Sequence, residues 1–269
     1  MAGGGEAPYK PRTMFPLRDH LPTRSVPVVT YLLLAANLSA YLLELALIGA
    51  GYAPQRLVLD WGLVPLRLLH DPMGEGFTLL SSMFMHDPSG WLHLGGNMLF
   101  LWIFGDNVED ALGSLRYSLF YLLGGLGAAA TQVLLDPTSR VPMVGASGAI
   151  AAVLAAYATL YPHARITVLN PVVLLWLFFG PFWVLPAWLV IGSFFLMNVW
   201  DSLGVLAGAG DGGGVAFFAH VGGFVTGLVL IRSFGSRRMP RMPERTPDPW
   251  RGWRPPRRSA PVDRRGRWG

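Results

Sequence analysis

Pro142-Met-Val-Gly-Ala-Ser-Gly-Ala-Ile-Ala-Ala-Val-Leu-Ala-Ala-Tyr157 is the stretch on which the fold turns. It reads as a membrane-crossing helix of small and apolar residues with one serine, Ser147, near its start. Gly145 and Gly148 flank that serine, and small residues let a second helix backbone come close. A serine in such a place is either a packing residue or a nucleophile. The rest of the chain separates the two readings.

The 269 residues are 52% hydrophobic and 14% charged, with a mean hydropathy of +0.41. A soluble domain carries about 25% charged residues, so the deficit points to a polytopic membrane protein. With no cysteine, disulfides, thiol nucleophiles and Cys-ligated metals are excluded. The net charge of +5 is uneven: Lys10, Arg12, Arg18 and Arg24 lie at one end, and most arginines follow Arg232. The first apolar run starts near Val26 and is too long for the core of a cleavable signal.

Three regions are expected: a loosely ordered basic leader at 1–25, an all-α membrane domain at 26–234, and an Arg/Pro-rich disordered tail at 235–269. Six spans are expected at about 26–51, 91–104, 115–135, 143–161, 184–200 and 215–234, set by the roughly 20 apolar residues that cross a bilayer. The connection 52–90 is too interrupted to span and too apolar for a free linker, so it reads as a partly helical interfacial loop. Asn170-Pro171 and Gly180-Pro181 break the next long run, leaving 166–180 as an interfacial or re-entrant piece. Six spans put both basic ends on one side. The positive-inside rule makes that side cytoplasmic, in a multi-pass protein of the cell (inner) membrane.

With this topology spans two, four and six all run from outside to inside. His93 and Asn97 fall early in span two on one helix face. Ser147 falls a few residues into span four and His220 a few residues into span six. At about 1.5 Å per residue the four lie in one stratum. Polar groups in a span are costly and face the bundle interior, so the stratum reads as one site. A serine needs an adjacent base, and a histidine can take its proton and return it. Asn97, His93 and the Ser147 backbone N–H are the donors available to an oxyanion. No carboxylate lies at this depth in spans two, four or six, so the unit would be a Ser–His pair. Gly223 and Gly227 share a face with His220 and form a G-x-x-x-G motif. They would let span six press on Gly145, Gly148 and Ala152 of span four.

Taken together, His93-Leu-Gly-Gly-Asn97 with the following Met98–Gly105, Gly145-Ala-Ser-Gly148, and Ala219-His220-Val-Gly-Gly223 with Gly227 resemble the rhomboid intramembrane serine proteases, over about 26–234. The resemblance implies Ser147 as nucleophile, His220 as base, and Asn97 and His93 as oxyanion donors. It implies a six-helix rhomboid-like bundle, a membrane-embedded first loop at 52–90 and a substrate-gating fifth span. It further implies cleavage of single-pass membrane proteins in or near their transmembrane segment, with no cofactor and no metal. The chain departs from the family at three places. Ala151 stands where some members stack an aromatic on the histidine. Phe77-Thr78 is the nearest match to a first-loop Trp-Arg pair. Ala149 breaks the soluble-hydrolase elbow G-x-S-x-G.

Other readings are weaker. A catalytically inactive rhomboid-like binder of membrane clients is the alternative, and the presence of both Ser147 and His220 weighs against it. A transporter predicts inverted repeats, which the chain lacks, and a zinc protease predicts H-E-x-x-H, which is absent. The tail suits anionic lipid rather than nucleic acid. His86 reads as structural within the loop, and Glu44 as reaching the outer interface.

Overall fold

The computed structural model describes residues 15–88, 91–170, 176, 180–206 and 217–235. The tail after Gly235 and residues 1–14 of the leader lie outside them.

The first long helix, α1 (Val28–Gly49), is inverted relative to a soluble amphipathic helix. Its buried residues are Thr30, Asn37, Tyr41 and Glu44, spaced 7, 4 and 3 apart on one face. Leu32, Leu38, Leu42 and Leu43 face outward, Leu43 at 60% exposure. Outward leucines and inward polar groups are what a lipid solvent selects.

The connection that follows folds into four short helices, α2 (Pro54–Trp61), α3 (Pro65–His70), α4 (Pro72–Glu75) and α5 (Thr78–Ser81). Proline opens three of them, where its fixed φ and missing N–H do no harm. The loop is tied to the approach to α8 (Ser147–Leu160): Leu63 and Met143 exchange both backbone hydrogen bonds, and the Gly145 N–H donates to Ser82 O at 2.8 Å.

Helix α6 (Trp91–Leu112) carries on well past the expected end near 104, through Asp106, Glu109 and Asp110. The acids are used rather than exposed. Glu109 accepts from the Val29 and Thr30 backbone N–H groups and from the Thr30 hydroxyl, and Asp110 accepts from Ser25. A carboxylate at the N-terminus of α1 satisfies donors that have no partner within the helix and complements its dipole, an effect of about 0.3–2 kcal/mol.

Helix α7 (Ser114–Leu135) leads by residues 136–146 to α8. The latter is the axis of the bundle: Ala151 through Tyr157 are fully buried, and it touches α6, α7, α9 (Ala187–Leu206) and α10 (Phe217–Phe234). Its alanines leave room for four neighbours. It begins at Ser147, not at 143 as the apolar run suggested, because Gly145 turns the chain at φ +117°. At 1.5 Å per residue α8 rises about 21 Å against about 33 Å for α7. Helix α8 is therefore shorter than α7 by about 12 Å.

At the opposite end lies a small antiparallel sheet that periodicity did not predict, ordered β1 (Phe15–Asp19), β2 (Arg165–Leu169), β3 (Phe182–Pro186). It joins part of the leader to the segment expected to be interfacial or re-entrant. The period-two signal was present: Ile166 and Val168 are buried while Arg165 faces out. Strand β3 also delays the fifth long helix to Ala187, three residues after the expected start. Asp19 accepts from Tyr157 Oη and Asn107 Nδ2, each at 2.8 Å. Burial pushes the Asp19 carboxyl up to about 6. These bonds pin β1 against the C-terminal halves of α6 and α8.

The helical bundle therefore stands as expected. Among the described residues, four helices are long and apolar enough to cross a bilayer: α1, α7, α9 over Ala187–Gly204, and α10. The 22-residue α6 and the 14-residue α8 complete six.

Candidate active site

Ser147 is the first residue of α8, behind an Ala146 cap that offers no side-chain hydrogen bond. The first backbone bond of the helix runs from Ile150 N–H to Ala146 O. The N–H groups of Ser147, Gly148 and Ala149 are thus the orphan donors of a helix N-terminus, pointing where an anion would be stabilised.

His220 lies four residues into α10. Its Nε2 is 2.8 Å from Ser147 Oγ. The approach depends on glycine. A Cβ on Gly223 would sit 2.1 Å from Gly148 O, and one on Gly227 2.4 Å from Ala152 O. Those two contacts bring α10 backbone to α8 backbone, and His220 shares their face. Gly145 has a different place from the one expected. It does not pack on α10. It lies under α6, where a Cβ would be 2.9 Å from His93 Cε1, and its positive φ disfavours any side chain.

Asn97 and His93 come to the same place from α6, next to Gly145. Asn97 Nδ2 is 3.1 Å from His86 Nε2. The His86 Nδ1 lies 3.1 Å from Phe84 O, and a carbonyl only accepts, so the proton is on Nδ1 and Nε2 accepts from Asn97. Burial, reinforced by the neighbouring His93, pushes the His86 imidazole down to about 4, which keeps it neutral in that acceptor state. Asn97 retains its second amide N–H for another acceptor.

Two residues read as peripheral are therefore inside this network. His86 bonds within the loop as expected but also holds Asn97. Glu44 does not reach the interface: it is buried, and its Oε1 accepts the His86 backbone N–H at 3.0 Å. Loop folding turned His86 inward, and an acceptor for its N–H came from α1.

A third side chain meets the histidine. Asn198 of α9 has its Oδ1 2.6 Å from His220 Nδ1. Sequence reasoning missed it because it looked for a carboxylate on spans two, four and six. The available signal was an amide in an apolar run, Phe194-Phe-Leu-Met-Asn198. The Phe194 ring lies 6.1 Å from the imidazole, tilted by 42°.

Electrically the site holds a hydroxyl, neutral-capable imidazoles, amides and free N–H groups. It can deprotonate a hydroxyl and stabilise an oxyanion. Among the described residues no cluster of three metal-ligating side chains occurs.

The family model of the Rhomboid domain matches residues 73–237. RHOMBOID-like protein 4 of Arabidopsis thaliana is 32% identical over 163 residues, 58% of this chain and 33% of the relative. Rhomboid protease GluP of Bacillus subtilis is 34% identical over 125 residues, 46% of this chain and 23% of the relative. RHOMBOID-like protein 5 of Arabidopsis thaliana is 35% identical over 95 residues, 35% of this chain and 29% of the relative. The matched stretches thus span a third or less of these relatives' own length.

Proposed function

This chain belongs to the rhomboid family and is a multi-pass membrane protein, and on that premise we propose that it is an intramembrane serine endopeptidase acting on single-pass membrane proteins in or near their transmembrane segment. The observation that carries the reading is the 2.8 Å contact between Ser147 Oγ and His220 Nε2 inside an apolar bundle. An ionisable side chain such as His220 is costly inside a span and marks a functional site.

The reaction runs through an acyl-enzyme. Ser147 Oγ attacks the scissile carbonyl carbon as His220 Nε2 takes its proton. The carbonyl oxygen becomes an oxyanion facing the Ser147 N–H, with Asn97 and His93 as side-chain donors. The tetrahedral intermediate collapses, the C–N bond breaks, and His220 returns its proton to the leaving amine. Water, deprotonated by the same Nε2, then releases the acid product and restores Ser147.

Two measurements test the reading. Purified wild type is expected to react with a fluorophosphonate at Ser147 and to cleave a single-span substrate in liposomes. An unlabelled, folded wild type would leave an inactive client-binding member instead. Asn97→Ala removes one of several oxyanion donors and should lower kcat by about 10²–10³-fold, leaving measurable turnover. A folded Asn97→Ala protein as inactive as Ser147→Ala would assign Asn97 another role.

The basic ends support a cell-membrane protein with both ends of the chain cytoplasmic. Tags at both ends should resist protease added to intact, right-side-out cells. Digestion of either tag without permeabilisation rules that topology out.

A further inference from the structure

The proton on His220 has to be on Nδ1 for Nε2 to act as a base, and the fold supplies a reason for it to be there. Asn198 Nδ2 donates to Phe194 O at 2.8 Å, one turn back on α9. That bond fixes which way the amide faces and leaves Oδ1 toward His220. An amide oxygen only accepts, so at 2.6 Å the imidazole must donate from Nδ1. The lone pair is then on Nε2, facing Ser147. The amide is itself held: Asn198 is buried at 7% exposure, and Ser202 Oγ donates to its backbone carbonyl at 2.7 Å.

We propose that Asn198 is the positioning residue of this site, holding His220 in the Nδ1–H tautomer so that Ser147, His220 and Asn198 act as one unit. The proposal rests on the reading of Ser147 as nucleophile and His220 as base. The arrangement differs from a carboxylate-backed triad in one physical respect. A neutral amide orients the ring and stabilises the imidazolium by a dipole, without the desolvation cost of a buried charge in the bundle. It also ties the base to α9, a helix that contributes no other group to the reaction. α9 is held over α10 by the stacked rings of Phe195 and Phe224, 4.4 Å apart. The histidine is therefore in its reactive tautomer only while α9 is docked.

The groups facing His220 are the Ser147 hydroxyl from α8 and Asn198 from α9. His93, on α6, is the titratable side chain that bears on it electrostatically. The experiment uses the full chain in detergent, with wild type, Asn198→Ala and Asn198→Asp compared on a single-span substrate across pH. Asn198→Ala is expected to lower kcat about 10²-fold, the scale of a misoriented catalytic group, with KM within threefold of wild type. Asn198→Asp keeps an acceptor of the same shape and should recover most of the activity. A carboxylate opposite Nδ1 favours the imidazolium, so the acid limb of its kcat/KM profile should move to higher pH.

A merely structural asparagine would not move that limb. A folded Asn198→Ala with wild-type kcat, or an Asn198→Asp with an unshifted acid limb, overturns the proposal. If Asn198→Ala does not fold, the Asp variant decides alone. A wild type that neither cleaves nor labels at Ser147 refutes the protease reading itself, and the assignment of Asn198 with it. That outcome is distinct from active enzyme with indifferent Asn198 variants.

Discussion

Replacing Ser147 with alanine is expected to abolish turnover, a loss of about 10⁴-fold or more in kcat on the scale known for serine hydrolases. His220→Ala should match it. With Ser147 Oγ 2.8 Å from Nε2, no other described base stands in hydrogen-bond reach of the hydroxyl, so nothing replaces the imidazole. The double variant should be no worse than either single one, because nucleophile and base act as a unit. Both side chains can be removed without touching the α8–α10 glycine contact, so the variants should remain folded. Cleavage of a single-span substrate in liposomes, followed by gel shift, reads all three. Wild-type activity in Ser147→Ala sinks the protease reading.

The second large effect comes from a residue that takes no part in the chemistry. Gly223→Val is expected to lose activity, fluorophosphonate labelling and stability together. Even a bare Cβ at Gly223 would stand 2.1 Å from Gly148 O, and that oxygen is backbone, so neither side can yield by a rotamer change. The helices must separate, and His220, on the same face of α10, moves with them away from Ser147. Overpacking typically costs about 1–3 kcal/mol, and a backbone-against-backbone clash belongs at or above the top of that range. Gly192→Ala is the control, since a Cβ there meets nothing within 4 Å and should be tolerated. Thermal unfolding in detergent and probe labelling separate the two variants. A Gly223→Val protein as stable and as reactive as wild type would mean that α10 does not rely on this contact.

The sequence by itself determined the helical membrane bundle, its approximate spans, and the stratum of His93, Asn97, Ser147 and His220. A bilayer punishes polar side chains so heavily that the few left inside apolar runs stand out, and helix rise converts their positions into depth. Glycine pairs such as Gly223 and Gly227 are legible for a related reason, since they mark where a backbone must come close. The tertiary structure alone decided the partners. Periodicity says which face of one helix is polar, but not which neighbour meets it. That is why Asn198 was not assigned to His220, nor Glu44 to His86, nor Glu109 to the start of α1. Each of those bonds joins groups 22 or more residues apart. The same limit hid β1, whose pairing with β2 bridges about 150 residues. It also misplaced Gly145, whose φ of +117° depends on the loop bond to Ser82 and on α6 above it. A buried hydrogen bond needs a donor and an acceptor within about 3 Å, and only the folded chain brings two distant residues to that distance.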